Sequence, residues 1–331
     1  MSVMVTGGTG FVGLNLVEAL LARGEHVVVV AIDTMPPVAA AAFARLPGRL
    51  TVECADVTDG AGLVGLMRRH AVDRLFPFAA ITSGPDRERE APERVVEVNL
   101  LGFMKQLRAA RDAGVRRVIA PSSAAVYGES FYHHAFLDET STPPIPTGIY
   151  GVTKYAVERS GLRLAGLWGI DLIVARIGAV FGPWERDTGL RDMIGPHWHL
   201  ARRAGDGAEA VLPANIPAYS WVYARDVASG LLHLLDMADP PHRVFNICSG
   251  APWGSVITQW ADRLAAGHPE FRWRQSADAA DVNVAFTDTR PRGRMDIGRI
   301  AATGWAPRFP PASAYADYAE WLACTKGGLA P

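Results

Sequence analysis

The N-terminal segment MSVMVTGGTGFVG, residues 1–13, decides the fold that we expect for this chain. Residues 2–6 form a short apolar run rich in valine, which is typical of a buried strand. Residues 11–21 have apolar side chains at helical spacing. The turn between them contains the glycines of both a G-x-x-G-x-x-G and a G-x-G-x-x-G pattern, namely Gly7, Gly8, Gly10 and Gly13. The segment therefore predicts a strand, a glycine-rich turn and a helix.

This strand–turn–helix arrangement is the context in which such glycine spacing binds a dinucleotide. Glycine permits a positive φ and lets the backbone approach a pyrophosphate closely. The start of the helix adds unpaired N–H groups and the positive end of the helix dipole. The turn thus predicts a dinucleotide cofactor. An ordinary βα turn rich in glycine is the alternative that the spacing alone leaves open.

Composition excludes several classes of partner. The 331 residues are 49% hydrophobic, enough for one large domain or a domain with an added lobe. The net charge is −1 and no basic stripe is present, so we expect neither nucleic acid nor an anionic membrane as a partner. The three cysteines are far apart and lack metal-ligand spacing, so we expect reduced thiols, no metal and a cytoplasmic location. We also expect no membrane span and no signal peptide.

Alternating strands and helices dominate the first part of the chain. The apolar run His26–Ile32 predicts a strand covered on both faces, and residues 92–113 predict a long helix that ends at Gly114. The repeated alternation predicts an α/β fold with a doubly wound parallel sheet, which binds ligands beyond the carboxyl ends of its strands. We expect residues 1–180 to form the dinucleotide-binding domain, with parts of 220–250 completing the sheet. Residues 181–331 would then form mainly a smaller substrate lobe.

Four polar residues downstream of the glycine turn predict a proton-transfer site. In the segment YGVTK, Tyr150 and Lys154 lie four residues apart and share one face of a helix. A lysine ammonium there would lower the pKa of the phenol, which could then act as a general acid or base on an alcohol or carbonyl. Ser123 follows a strand and can bond the reacting oxygen, and Asn99 is a helical amide that needs a partner when buried. Taken singly, the same residues are also typical of a surface pair, a turn and a core amide.

The motifs as a set resemble the extended short-chain dehydrogenase/reductase superfamily, specifically its NAD-dependent epimerase/dehydratase branch, typified by UDP-galactose 4-epimerases. The resemblance covers most of the chain and rests on TGGTGFVG at 6–13, ADV at 55–57, FAA at 78–80, VNLLG at 98–102, PSSAAVYG at 121–128, YGVTK at 150–154, FGP at 181–183, WVYARDVA at 221–228 and GWAP at 304–307. It implies a Rossmann sheet, NAD as cofactor, and a homodimer formed through the helices that carry Asn99 and Tyr150.

The resemblance also implies residue roles. The glycines of the turn would hold the pyrophosphate, Asp56 and Val57 would face the adenine, and Ala79 and Ala80 would line the cofactor cleft. Tyr150 would be the acid/base, Lys154 would hold the nicotinamide ribose and tune Tyr150, and Ser123 would polarise the reacting oxygen. The predicted catalytic residues are Ser123, Tyr150, Lys154 and Asn99. The predicted cofactor-binding residues are Gly7, Gly10, Phe11, Val12, Gly13, Asp33, Asp56, Val57, Ala79, Ala80, Tyr150 and Lys154.

The end of the second strand departs from the family pattern. Family members usually place an acid there for the adenosine ribose, and counting without gaps from the glycine turn puts Ala31 at that position. Asp33 follows two residues later and could accept the 2′-hydroxyl. No arginine adjoins it in the sequence to hold a 2′-phosphate, so we predict NAD rather than NADP.

The substrate side departs as well. Nucleotide-sugar members of the family grip a diphosphate with an asparagine and an arginine, and this chain has Ala179 and Tyr219 near those places, although Arg290 matches a late family arginine. The loss weakens the case for a nucleotide diphosphate, because arginine forks are the natural clamp for such groups. The segment RIG at 176–178 resembles sugar-acid dehydrogenases of the same superfamily. The predicted substrate residues are Thr82, Ser122, Tyr219 and Arg290.

The insert at 184–204 is the expected specificity element, and its candidate substrate contacts are Trp184, Arg186, Arg191, His197 and His199. We predict a small-molecule substrate and an NAD-dependent oxidoreductase or epimerase that transfers a hydride at a secondary alcohol of a sugar or sugar-like compound. One alternative is a net dehydrogenase of a non-nucleotide sugar acid or polyol. Another, from a different class, is a non-catalytic NAD-binding regulator.

Overall fold

The computed structural model describes residues 1–216, 219–251, 253, 256–284, 286 and 290–325. In these residues the strands are β1 (Ser2–Thr6), β2 (His26–Ala31), β3 (Arg49–Cys54), β4 (Val72–Pro77), β5 (Arg117–Ser123), β6 (Phe136–Leu137), β7 (Asp171–Ile177), β8 (Ala179–Phe181), β9 (Ala210–Pro213), β10 (Trp221–Tyr223), β11 (Val244–Ile247), β12 (Trp273–Ser276) and β13 (Arg294–Met295).

The α-helices of the same described residues are α1 (Phe11–Ala22), α2 (Pro37–Phe43), α3 (Gly60–Arg69), α4 (Pro85–Glu90), α5 (Pro92–Val96), α6 (Phe103–Ala113), α7 (Ile149–Trp168), α8 (Pro196–Gly205), α9 (Ala224–Asp236), α10 (Ile257–Gly267), α11 (Gly298–Ala301) and α12 (Pro311–Cys324). A π-helical segment, Glu97–Gly102, joins α5 to α6, so the long helix predicted over residues 92–113 is one continuous helical stretch.

Seven of the strands form the central sheet in the order β3-β2-β1-β4-β5-β7-β11, and every neighbouring pair runs parallel. Helical crossovers connect the strands and lie on both faces of the sheet, as parallel connections require. The prediction of an α/β fold with a doubly wound parallel sheet is confirmed. Since β1 lies in the middle of the sheet, the glycine turn that follows it opens at the carboxyl edge near the centre.

The second strand shows how the sheet is buried. Val27 and Val29 belong to the core that α1 and α9 cover, whereas Val28 and Val30 belong to the core on the opposite face, with α3 and α6. Successive strand residues point to opposite faces, so a strand covered on both sides needs an unbroken apolar run. The strand ends at Ala31, and Ile32 is 57% exposed.

The C-terminal half contributes to the sheet and also builds a layer beside it. Strand β11 pairs with β7 at one edge, and α9 packs against α1. Pairs of short strands, β8 with β10 and β9 with β12, accompany an aromatic core in which Trp260 stacks on Tyr315 and Tyr318. The division into residues 1–180 and 181–331 stays a prediction. Among the described residues, no helix has both the length and the apolar content needed to cross a bilayer.

Candidate active site

The glycine turn is shaped by close backbone contacts. Gly7 has φ of +62°, and a Cβ built there would lie 2.7 Å from the Cα atom of Ala79. A Cβ on Gly13 would lie 2.5 Å from the carbonyl oxygen of Gly7. No other residue fits either position without moving the backbone, because the positive φ and the contact exclude a side chain at Gly7 and the contact excludes one at Gly13. The turn thereby brings the start of α1 against the loop that follows β4.

A cleft of about 770 Å³ lies beside this turn at the carboxyl edge of the sheet. Its volume is in the range of small-molecule and cofactor sites. Every residue predicted to bind the cofactor lines it, namely Gly7, Gly10, Phe11, Val12, Gly13, Asp33, Asp56, Val57, Ala79, Ala80, Tyr150 and Lys154. A pyrophosphate can approach the backbone closely at this turn, because no Cβ occupies the space. It can also accept hydrogen bonds from the unpaired N–H groups at the start of α1. The residues present therefore fit NAD, and the individual roles stay predictions.

Tyr150 and Ser123 share the inner part of the cleft. Ser123 is the last residue of β5, and its Oγ accepts a hydrogen bond of 3.1 Å from the N–H of Ala125. Tyr150 lies in the first turn of α7. Burial raises the pKa of Tyr150, whereas hydrogen bonding with Ser123, the charge of Arg191 and hydrogen bonding with Thr82 oppose the rise. Ser123, Thr82 and Tyr150 all line the cleft.

Lys154 is 6% exposed, and its ammonium group is directed at the backbone of β5. Nζ donates a hydrogen bond of 3.1 Å to the carbonyl oxygen of Pro121 and lies 5.7 Å from the centre of the Tyr150 ring. Burial lowers the pKa of Lys154 to about 8. Burial dominates the pKa of Tyr150, and the cation that opposes its effect is Arg191. The tuning of Tyr150 by Lys154 stays a prediction.

Asn99 is held by hydrogen bonds to two segments of the chain, and its role as a catalytic residue stays a prediction. Its Oδ1 accepts from the N–H of Ile81 at 2.8 Å, and its Nδ2 donates to the carbonyl of Ile81 at 2.9 Å and to Oγ1 of Thr153 at 3.2 Å. The hydroxyl of Thr153 in turn donates to the carbonyl of Tyr150. The buried amide thereby ties the loop after β4 to the first turn of α7.

The cleft thus combines a glycine turn with Ser123, Tyr150 and Lys154. A comparison with known protein families points to the same kind of site. The sequence model of the NAD dependent epimerase/dehydratase family matches residues 3–248. This chain belongs to the NAD-dependent epimerase/dehydratase family. The predicted family, the assignment as an enzyme and NAD as the cofactor are thereby confirmed.

Individual relatives have diverse names. The chain is 32% identical over 275 residues to sterol demethylase protein B of Methylococcus capsulatus, covering 82% of this chain and 76% of the relative. It is 31% identical over 337 residues to a UDP-glucose 4-epimerase of Halalkalibacterium halodurans, covering 96% and 94%. The solved UDP-glucose 4-epimerase of Stenotrophomonas maltophila, with bound NAD and formylated UDP-arabinopyranose, has a TM-score of 0.80 at 24% identity, covering 98% of this chain and 99% of that one, and shows the shared fold.

Ser122, a predicted substrate residue, is bonded to a buried carboxylate in this family member. Its Oγ donates to Oε1 of Glu158 at 2.5 Å, and Arg176 pairs with the same buried carboxylate at 2.8 Å. Both Ser122 and Ser123 line the cleft, but the hydroxyl of Ser122 is held by the buried Glu158 and ties β5 to α7. The substrate role of Ser122 stays a prediction.

The far end of the cleft carries aromatic side chains and an arginine. Ala179 and Tyr219, which stand where nucleotide-sugar family members have polar grips, both line the cleft, and the ring of Tyr219 lies 5.2 Å from that of Trp221. The guanidinium of Arg290, the predicted contact, stacks 3.6 Å from the centre of the Tyr132 ring, outside the lining residues. Arg292 does line the cleft, 4.9 Å over the Tyr219 ring. The alternate arginines in RPRGR, residues 290–294, are the sequence feature from which Arg292 could have been predicted.

Residues 184–195, which we term the strap, cross the cleft. At one end Nη1 of Arg186 donates to the carbonyl of Thr9 in the glycine turn at 2.8 Å. At the other end the N–H of Thr82 donates to the carbonyl of Leu190 at 3.0 Å. Asp192 then accepts from the N–H of Gly84 at 2.9 Å and pairs with Arg87 at 2.7 Å. The strap therefore joins the glycine turn to the loop after β4, a connection that the sequence did not reveal.

The strap also brings Arg186 to Asp33. Nη2 of Arg186 lies 3.8 Å from Oδ2 of Asp33, and Oδ1 of Asp33 accepts from the hydroxyl of Thr9 at 2.7 Å. Burial lowers the pKa of Arg186, and the charge of Asp33 opposes that change. An arginine that is remote in the sequence therefore stands beside the acid, although none adjoins it along the chain.

Three of the five substrate candidates in the insert are structural. Trp184 packs between Phe43 and Trp321, and His197 stacks 4.1 Å from the Phe181 ring, with burial lowering its pKa to about 3. His199 packs against Trp198. These interpretations as substrate contacts are corrected, whereas Arg186 and Arg191 line the cleft. In the described part of the chain, no three His, Cys, Asp or Glu side chains are arranged to hold a metal ion.

Proposed function

We propose that this family member is an NAD-dependent oxidoreductase that acts on a secondary alcohol of a sugar-like compound without a nucleotide diphosphate. The observation that carries the proposal is the convergence of three hydroxyl groups, those of Ser123, Thr82 and Tyr150, in a cleft continuous with the glycine turn. Such a group can hold the oxygen of an alcohol and move its proton, which is the chemistry that accompanies hydride transfer.

Each residue has one task in the proposed oxidation. Ser123 donates a hydrogen bond to the substrate oxygen, and Tyr150 takes the proton of the substrate hydroxyl as a C=O bond forms. NAD, which the glycine turn would hold, would supply the acceptor for the hydride that leaves the same carbon. Lys154, within 5.7 Å of the ring, stabilises the negative charge of the phenolate. Because burial raises the pKa of Tyr150, the phenolate that accepts this proton is a minor form at neutral pH, so the oxidation should become faster as the pH rises. The protonated phenol is the acid of the reverse reduction.

Two positions in the wall of the cleft support the absence of a nucleotide diphosphate, although Arg292 also lines that end of the cleft. Ala179 offers no polar side chain, and Tyr219 is buried among Trp221 and Phe286. A diphosphate carries at least two negative charges and needs donors at its binding site. A nucleotide-sugar epimerase is the second candidate, which the 31% identity over 96% of the chain to a UDP-glucose 4-epimerase favours.

Production of NADH tests the proposal. The protein is incubated with NAD and, in turn, D-gluconate, D-glucuronate, sorbitol and UDP-glucose, and NADH absorbance and product composition are measured. We expect net NADH with a non-nucleotide substrate and a loss of about 10²–10⁴-fold in kcat for Tyr150→Phe. Tyr155→Phe, on the same helix but outside the lining residues, is the matched control and should retain activity.

Two outcomes oppose the proposal. Conversion of UDP-glucose to its 4-epimer without net NADH would establish the epimerase instead. Undiminished activity of Tyr150→Phe on any substrate found would remove the assigned acid/base. NAD binding with no turnover of any sugar, sugar acid, polyol or nucleotide sugar would favour the non-catalytic regulator.

A further inference from the structure

Arg191 lies in the strap at the point where the strap meets the reaction site. It forms an isolated parallel β-bridge with Thr82, whose hydroxyl reaches Tyr150. Its guanidinium lies 4.9 Å over the ring of Phe11, the first residue of α1. The side chain is 22% exposed and lines the cleft. A cation therefore stands between the start of the cofactor helix and the catalytic tyrosine.

Glu185 holds this guanidinium by one edge. Nη1 of Arg191 lies 2.9 Å from Oε1 of Glu185, a carboxylate that is fully buried and also accepts from the N–H of Gly195 at 3.1 Å. Within the described part of the chain, Nε and Nη2 of Arg191 make no hydrogen bond. The buried carboxylate fixes the orientation, and the planar fork retains donors for a second acceptor.

The position of Arg191 contrasts with the far end of the cleft. There, Ala179 and Tyr219 replace the polar grips that would hold a distant diphosphate. The positive charge that acts on Tyr150 comes from Arg191 instead. The cleft therefore has a cation beside Tyr150 in addition to Arg292 at its far end.

We infer that Arg191 binds the carboxylate of the substrate, which makes the substrate a hydroxy acid of the sugar-acid class, an aldonate or a uronate. The inference rests on the proposed function. A guanidinium fork matches the two oxygens of a carboxylate, and one arginine already shared with Glu185 suits a single negative charge better than the double charge of a phosphate. In the oxidation the alcohol carbon loses a hydride to NAD and its hydroxyl proton to Tyr150, and the carboxylate is unchanged, so the product is an oxo acid.

Pairs of substrates that differ in whether they carry a carboxylate charge provide the test. Initial rates are measured with D-gluconate against sorbitol, and with D-glucuronate against its methyl ester, for the wild type, Arg191→Lys and Arg191→Gln. We expect kcat/KM to be higher for the acid of a pair, and Arg191→Gln to raise KM for that acid by about 10–100-fold, the usual effect of losing a charged hydrogen bond. Arg191→Lys should recover part of the loss. Arg202→Gln, on the exposed face of α8, is the control.

Binding separates this inference from the proposed function. Thermal shifts with each acid are recorded for two NAD-loaded proteins. The parent is the variant Tyr150→Phe, and the double variant carries both Tyr150→Phe and Arg191→Gln. We expect an acid of the panel to stabilise the parent and not the double variant. Equal kcat/KM for an acid and its neutral partner, or no acid whose binding depends on Arg191, overturns the inference, while NADH from a neutral polyol leaves the proposed function intact. Arg191-dependent binding without NADH from any substrate overturns the proposed function alone.

Discussion

The guanidinium of Arg186 lies 3.8 Å from the carboxylate of Asp33, so the acid after β2 and the strap that covers the cleft meet at one ion pair. Asp33 also accepts from Thr9 in the glycine turn. A carboxylate at this place accepts a ribose 2′-hydroxyl and repels a 2′-phosphate, whereas an arginine attracts the phosphate. We therefore expect the balance between the two side chains to set the choice between NAD and NADP.

Replacement of Asp33 by Asn should shift that choice toward NADP. The substitution removes the negative charge and leaves the Arg186 guanidinium without its carboxylate partner. We expect the ratio of kcat/KM for NAD over NADP to fall by about 10-fold or more, on the scale of one charged contact. The double variant Asp33→Asn with Arg186→Gln is the control and should lose the NADP activity gained. A wild type that already prefers NADP contradicts the assigned role of Asp33.

Gly7→Ala should abolish cofactor binding and destabilise the fold, because its Cβ would lie 2.7 Å from the backbone of Ala79 at φ of +62°. Gly65→Ala is a matched control, since Gly65 is in α3 and a Cβ there meets nothing within 4 Å. We expect that control to stabilise the protein by about 0.5–1 kcal/mol through helix propensity. NAD titration and thermal melting measure both effects. Normal NAD affinity in Gly7→Ala would show that the turn does not hold the pyrophosphate.

Lys154→Met should be inactive but more stable than the wild type at neutral pH. Burial lowers the pKa of Lys154 to about 8 from its usual 10.5, so the unfolded chain binds more protons than the folded one between these values. The ammonium therefore destabilises the fold fully below pH 8, and the penalty disappears as the pH rises toward 10.5. The gain in the variant is on the order of 1–3 kcal/mol, reduced by the lost bond to Pro121.

Denaturant unfolding at several pH values measures this effect. The stability difference between Lys154→Met and the wild type should be largest near pH 7 and should shrink above pH 8. Lys105→Met, whose ammonium donates to Thr58 on an exposed part of α6, is the comparison and should show no such pH dependence. A variant that is less stable at every pH would mean that the charged lysine is not strained by burial.

The predicted homodimer can be tested at two exposed apolar side chains. Leu101 in the π-helical segment is 47% exposed and Val152 on α7 is 49% exposed, and these are the helices through which the dimer is predicted. Leu101→Glu should convert a dimer to a monomer in sedimentation velocity, because a carboxylate would be buried at the interface. Val38→Glu on α2, at 44% exposure, is the control. A monomeric wild type excludes the dimer.

Residue spacing within a short segment was enough to predict those parts of the site that lie within one segment. The glycine spacing predicted the turn because neighbouring residues in the turn impose the backbone geometry. The helical period placed Tyr150 and Lys154 on one face of α7, and strand and helix alternation predicted the parallel sheet. Ser122 and Ser123 show the limit: which of two adjacent strand hydroxyl groups is held by a buried carboxylate depends on register, which the sequence alone left undecided.

Contacts between distant segments of the chain have no local sequence pattern and could not be predicted from spacing. The strap reaches the glycine turn through Arg186 and the loop after β4 through Asp192, and neither contact has a signal in local spacing. His197 is a candidate substrate contact in the sequence because it lies in the 184–204 insert, but it stacks inside the aromatic core. The pKa of Tyr150 likewise depends on how deeply the finished fold encloses the ring.

The last strand of the sheet has a consequence for biosynthesis. Strand β11, residues Val244–Ile247, seals the edge of β7, and α9 covers α1. Until the ribosome has released about three quarters of the chain, β7 is an unprotected edge and the apolar side of α1 is uncovered. Sheets that depend on such long-range pairings fold slowly and are exposed to aggregation during synthesis. The enzyme cannot complete its cofactor domain co-translationally from the N-terminal half alone, so truncations before residue 247 should require chaperones or form inclusion bodies.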